Sequence, residues 1–341
     1  MPEPSSSDAI AGIPGAPAIP GLTFRGLGGG VDFRMLADVI QRSRDADLFE
    51  SVDTPEDLAD EFQHLQNCDP GKDMLLVEVK GTAIGHCRCE WHTRPGNLRT
   101  YEHCAYLLPE WRKTGLRRAM LRENERRLRE IADEHPKDSA KTFETRTNFA
   151  ENDWKSLLEE EGYRPFRHNL EMVRPNLDAI PDFPIPEGME IRPVRPEDLR
   201  TIFDAAREAF RDEPHFAEEY WSEESLKSLL EWRAFRPEIW LVAWAGDEVA
   251  GGVMNIIDDE DNAKYKRNWG HTAAIFVGRS FRKRGLASAL IARSLEVLMR
   301  EGADEAALGV DSENPSGARR LYERMGFRLF QQYSRYRKPL D

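Results

Sequence analysis

The sequence predicts a mixed α/β protein built as two tandem copies of one unit, each a set of strands flanked by helices. Three observations predict it. A proline-rich stretch, "RPNLDAIPDFPIPEG" (174–188), divides the chain, and strand-like and helix-like segments follow the same order on both sides of it. "VGRSFRKRGLA" from Val277 lies without a gap over "LLPEWRKTGLR" from Leu107, pairing Phe281 with Trp111, Arg282 with Arg112 and Gly285 with Gly115. The length, 341 residues, is long for one domain and comfortable for two. The expected division is a disordered leader over 1–20, a first domain over 21–173, a linker over 174–188 and a second domain over 189–341.

In the second half, "MEIRPVRP" reads as a strand and "PEDLRTIFDAAREAF" as a helix opened by proline and acids. "EEYWSEESLKSLLEW" is a further helical stretch. The strands "EIWLVAWAG" and "EVAGGVMNIID" are joined by a Gly-Asp turn. "HTAAIFVG" is a strand, and "FRKRGLASALIARSLEVLMREG" is a turn and helix. "EAALGV" is a strand, "SGARRLYERMG" a helix stopped by glycine, and "FRLFQQYSRYRK" a final strand pair. The first half repeats the plan. "LTFRGL" is a strand, "MLADVIQRSRD" and "PEDLADEFQHL" are helical, and "MLLVEVKG" with "TAIGHCRCEW" form a strand pair. "YEHCAYLLP" leads into "EWRKTGLRRAMLRENERRLREIA"; "KTFETR", "ENDWKSLLEEEG" and "YRPFRHNLEMV" close the half.

Composition narrows the function. The net charge of −13 and pI near 5.3 argue against a general nucleic-acid binder. No apolar run approaches the roughly 20 residues that span a bilayer, so no membrane partner is expected. "MPEPSSSDAIAGIPGAPAIP" lacks the basic start and apolar core of a signal peptide. Cys68, Cys87, Cys89 and Cys104 all lie in the first third. Alternation puts Cys87 and Cys89 on one face of a strand, with His86 and His92 nearby. A metal site is conceivable, but the spacing fits no zinc pattern, so buried reduced thiols, no metal and a cytoplasmic setting are expected.

The segment 281–287 carries the chemistry. The first N–H groups of a helix have no partner inside it, and the helix dipole adds partial positive charge there. A glycine in the entry turn lets the backbone close around an anion, and cations beside it attract a diphosphate. Arg282, Lys283 and Arg284 are electrostatically misplaced at a helix start unless an anion comes to them.

The strand "AAIFV", the motif Arg282-x-x-Gly285-x-Ala287 with its helix, and "VDSENPSGARRLYERMGF" together resemble the GNAT superfamily of acetyl-CoA-dependent acetyltransferases. The resemblance covers the second half well and reaches the first through the repeat; the tandem layout is similar to that of mycothiol synthases. It implies, in each copy, a mostly antiparallel sheet splayed at its fourth strand. It implies that backbone amides of Arg282, Lys283, Arg284, Gly285, Leu286 and Ala287 hold the pyrophosphate of acetyl-CoA as co-substrate. Main-chain groups of Phe276 and Val277 would run beside the pantetheine, and Asn314 would bond that arm. Tyr322, four residues before Gly326, would protonate the leaving thiolate; a phenol of pKa about 10 suits that task. The base position falls on His271, with ordered water or the acidic run Asp258–Asn262, otherwise a solvated loop, as alternatives. The first copy departs from the pattern: Arg117 stands for the small residue, and Leu158 stands where Tyr322 does.

The resulting expectation is an N-acetyltransferase moving an acetyl group to a primary amine, a small molecule rather than a protein, in a ternary complex on the second domain. The chain is expected as monomer or homodimer. A catalytically silent acyl-CoA-binding scaffold and a protein N-terminal or lysine acetyltransferase are the alternatives.

Overall fold

The computed structural model describes residues 12–28, 30–213, 216–314 and 317–340. The chain forms two compact units. The first holds the residues up to 166 together with 217–219 and 333 onward; the second holds 167–216 and 220–332. The division is therefore not the contiguous one expected from the proline-rich stretch. Of the expected leader, 1–11 lies outside the described residues. Beyond it the chain is laid against structure: Ile13 is buried in the first unit's core.

The first unit runs β1 (Leu22–Arg25), α1 (Gly30–Ala46), α2 (Pro55–Gln63), α3 (Pro70–Asp73), β2 (Met74–Val79), β3 (Thr82–Arg94), β4 (Leu98–Leu107), α4 (Leu116–Asp133), β5 (Ala140–Asn148) and α5 (Asn152–Glu160). Local chemistry sets several ends. Thr54 and Asp57 form a capping box that satisfies two orphan amides of α2, with Pro55 in the first turn. Cys87 and Cys89 face the core of this unit from β3, where burial pushes both thiols well up.

The second half supplies β6 (Arg164–Arg174), β7 (Glu190–Arg192), α6 (Leu199–Phe210), α7 (Glu223–Glu231), β8 (Leu241–Ala245), β9 (Glu248–Ile256), α8 (Asp259–Tyr265), β10 (Trp269–Val277), α9 (Leu286–Arg300), β11 (Glu305–Asp311), α10 (Ala318–Arg324) and β12 (Arg328–Pro339). The acidic run is not a loop. Asp258 caps α8 by accepting from the Asp261 amide at 3.0 Å and forms a bidentate pair with Arg233.

The last strands of the two halves are exchanged. Asn169–Arg174 of β6 pair antiparallel with β11 in the second unit. Tyr333–Pro339 of β12 pair antiparallel with β5 in the first, where Tyr336 is buried. The expected final strand pair is one long strand, and "QQYS" holds no glycine, proline, asparagine or aspartate that would favour a turn there.

In each unit the strand pairing is mixed and mostly antiparallel, and in each it parts at the fourth strand. β4 pairs in parallel with β5 only from Leu98 to Glu102, although β4 continues to Leu107 and β5 to Asn148. β10 pairs in parallel with β11 only from Trp269 to His271, although both strands continue. A bulge between Thr272 and Ile275 bends β10 where the separation begins.

Two glycines permit this geometry. A Cβ on Gly251 of β9 would lie 2.6 Å from the Phe276 carbonyl. Gly285 takes φ +91° ahead of α9, with open space where its Cβ would stand.

Gly285→Ala should lower stability by about 1–2 kcal/mol through backbone strain alone, and Gly251→Ala by more, because rigid backbone must move; urea midpoints check the order. Tyr336→Ala should cost about 3 kcal/mol. Its effect should appear as faster hydrogen exchange in β5, with β11 unchanged.

Candidate functional site

The candidate site in the second unit is the gap between the parted ends of β10 and β11 together with the start of α9. The Gly278 amide donates to Ala250 of β9 at 2.9 Å. By the alternation of an antiparallel ladder, the main-chain groups of Phe276 also face β9, while those of Ile275 and Val277 face the gap. Of the two residues expected beside a pantetheine arm, Val277 therefore offers its main chain to the gap. Phe276 instead packs its ring into the core beneath α6.

At the mouth of the gap, Gly285 is the N-cap of α9, and it makes no side-chain cap. Among the described residues, no acceptor bonds the amides of Lys283, Arg284, Gly285, Leu286 or Ala287. Lys283 itself adopts φ +62°, rare for a side-chain-bearing residue, and turns the backbone of this loop. Open amides together with the aligned dipole of a 15-residue helix give this end the donors and the field that an anion needs.

The three cations do not act alike. Arg282 is a clamp: its Nε donates to the Val277 carbonyl at 3.1 Å, Nη1 pairs with Asp212 at 2.7 Å, and Nη2 donates to the Ala209 carbonyl at 3.0 Å. Arg279 completes the tie to Asp212, and the two guanidiniums hold that carboxyl well below its usual range. The first unit repeats the device. Arg112 Nε donates to the Leu107 carbonyl at 2.9 Å, and its fork takes Asp47 at 2.5 and 2.8 Å. Arg284 reaches the Glu187 carbonyl, while the Lys283 side chain makes no bond among the described residues. The guanidinium of Arg282 is thus engaged by protein rather than directed at an anion.

Tyr322 lies on α10, buried and edge-on to Phe327. Burial, and then the charge of Glu213, pushes its phenol up to about 12, so it is protonated at neutral pH. Glu213 was not singled out by sequence. It follows the C-terminal end of α6, accepts from Asn314 Nδ2 at 3.2 Å, and its carboxyl is raised by burial. Glu213, Asn314 and Tyr322 form one group. His271 is the last residue of β10 paired to β11. Burial lowers its pKa, which leaves the imidazole neutral, and its ring meets Trp269. No hydrogen bond or ring contact joins His271 to Tyr322 among the described residues.

The repeat does carry a signal for Asp212, since Asp47 occupies the matching helix end of the first copy. Glu213 has no such counterpart, and only the fold brings it to Tyr322. A cluster of Glu90, His92 and Glu102 in the first unit has metal-ligand reach, but Arg94 binds Glu102 at 2.5 Å and Arg88 binds Glu90 at 2.7 Å. Those carboxylates already have cationic partners. No helix among the described residues is long and apolar enough to cross a membrane.

Comparison with known proteins places this geometry. Residues 199–327 match the model of the acetyltransferase (GNAT) family. No curated protein matches the chain. A GCN5-related N-acetyltransferase from Sphaerobacter thermophilus is similar at 26% identity and TM-score 0.69, over 95% of this chain and 96% of its own. A tandem GNAT protein from the clavulanic acid biosynthesis pathway shares the fold at TM-score 0.67 and 12% identity, over 94% of this chain and 100% of its own. A GCN5-related N-acetyltransferase from Kribbella flavida also shares it, at TM-score 0.54 and 14% identity, over 94% of this chain and 72% of its own. Residues 199–327, which carry the parted strands and the open helix end, are a GNAT acetyltransferase domain, a fold that supports acyl transfer from acyl-CoA.

Proposed function

We propose that the second unit transfers an acetyl group from acetyl-CoA to a primary amine by direct attack within a ternary complex. The observation that carries this reading is the set of unbonded amides from Lys283 to Ala287 at the mouth of a gap between two parted strands. Those amides would take the diphosphate. The main-chain groups of Ile275 and Val277 would pair with the pantetheine as an adjoining strand would, and Asn314 would bond the same arm. Most of the acceleration would come from holding amine and thioester together and from main-chain donors at the acetyl carbonyl.

Expulsion of the CoA thiolate needs a proton. Tyr322 is the donor in this reading, supported by its protonated state at neutral pH and its place on α10. The amine must lose a proton before it attacks. His271 is the base in this reading, supported by its neutral imidazole at the point where the strands part. Glu213 is a competing base, favoured by its raised pKa and its charge facing Tyr322. A small acceptor is preferred over a protein; the aromatic group of Phe203, Phe210 and Trp221 beside α6 supports an acceptor with an apolar body.

Acetyl-CoA turnover over a panel of amines, read by thiol release, tests this. Tyr322→Phe should lower kcat about 100-fold with the affinity for CoA unchanged. His271→Ala should remove the ascending limb of the pH–rate profile if His271 is the base, and Glu213→Gln should do so if the carboxylate is. Full activity in Tyr322→Phe would overturn the donor. CoA binding without turnover across the panel would favour a silent acyl-CoA-binding scaffold, and turnover confined to peptide amines would favour a protein acetyltransferase.

A further inference from the structure

The first unit has the same parted strands and the same glycine turn, yet its gap is filled by its own residues. Arg117 replaces the small residue that follows the turn glycine in the second copy. Its side chain is 7% exposed and runs back along the gap. Nε donates to the Ala105 carbonyl at 2.9 Å, and Nη2 pairs with Glu151 at 2.9 Å. The guanidinium lies 4.2 Å from the centre of the Trp154 ring. One step earlier on β4, the His103 carbonyl accepts from the Thr145 hydroxyl of β5 at 2.8 Å. One step later, the Leu107 carbonyl accepts from Arg112. Every second carbonyl along the gap edge of β4 is thus already bonded. In the second copy, among the described residues, only the last of these, Val277, has such a bond.

Beside this filled edge lies a cavity of about 330 Å³. Its six carboxylates are spoken for: Asp47 by Arg112, Asp53 by Arg44, Glu61 and Glu90 by Arg88, Glu102 by Arg94 and Glu151 by Arg117. Several donors or acceptors on its lining are not, Arg44 Nε and Arg88 Nε among them. Arg117 Nη1, the Thr147 hydroxyl and His103 Nδ1 are buried without a hydrogen-bond partner. Arg146, opposite Arg335 across β5 and β12, adds a guanidinium with no ion pair among the described residues. The buried lining atoms left without a hydrogen-bond partner are therefore mostly donors. Its apolar part is flat: Phe49, Tyr106, Trp154 and Tyr333 contribute rings.

We infer that the first unit is closed to acyl-CoA and that its cavity binds a small aromatic carboxylate, with Arg117 deciding both properties. Nη1 of Arg117 and the Thr147 hydroxyl take the carboxylate, and the aromatic rings take its body. An unpartnered buried guanidinium N–H is costly to keep, and a carboxylate oxygen removes that cost.

Calorimetry on the full chain tests this, with benzoate as the probe in the presence of saturating CoA. Wild type should bind one CoA per chain and then benzoate saturably at a further single site. Thr147→Val, which keeps side-chain shape, should weaken benzoate at least tenfold and leave CoA stoichiometry at one. Arg117→Ala should abolish benzoate binding and raise CoA stoichiometry toward two. Two CoA per wild-type chain, no saturable benzoate binding, or benzoate affinity indifferent to both substitutions would each overturn the inference. Wild type that binds benzoate but no CoA would sustain it and defeat the function proposed for the second unit.

Discussion

Two parallel strands that stop pairing while both continue leave main-chain donors and acceptors along a gap, and these groups must find partners. Everything distinctive in this chain follows from how each unit meets that requirement. In the second unit the β10 edge at Ile275 is left open and leads to a helix start whose amides are also open. An extended ligand with an anionic head meets both needs at once. In the first unit the requirement is met internally, by a guanidinium from α4 and a hydroxyl from β5. In this reading one scaffold gives an open slot and a closed one, with arginine at 117 in place of alanine at 287 supplying one of the closing groups and Thr145 another.

The arginine shared by both motifs has a task separate from ligand capture. Arg282 and Arg112 each tie the carbonyl at the end of the fourth strand to an acid at the end of the first long helix. That clamp fixes the entry angle of the turn before the glycine reverses it. In the second unit the proposed attraction for an anion then falls to the amides and to Lys283, whose side chain makes no bond among the described residues. A charged residue in a binding motif can be there to hold the motif's shape.

Much of this was legible in the sequence. Apolar alternation and capping signals placed the strands and helices, and the ungapped match around Gly115 and Gly285 revealed the duplication. The parting of the strands came from family resemblance rather than from any property of "HTAAIFV" itself. What was not legible depends on pairing at long range. Nothing in "FRLFQQYSRYRK" tells which sheet its second half joins, because strand alternation is the same for either partner. The clamp role of Arg282 was hidden for the same reason, since Asp212 lies 70 residues away in the chain. Glu213 is one acid among many in "RDEPHFAEEYWSEESL", and only folding brings it to Tyr322. The reading of Asp258–Asn262 as loop failed because the first Asp is a helix cap, a local signal that was present in the sequence.

The claim at the centre is that main-chain groups at the open splay, and not the motif's arginine, receive the cofactor's diphosphate. A crystal structure of the chain with CoA tests it most directly. Diphosphate oxygens should lie within hydrogen-bond distance of the amides between Lys283 and Ala287, with the Arg282–Asp212 pair intact and no ligand along β4. A diphosphate held by the Arg282 side chain with that pair broken, or CoA seated against Arg117 in the first unit, would contradict it.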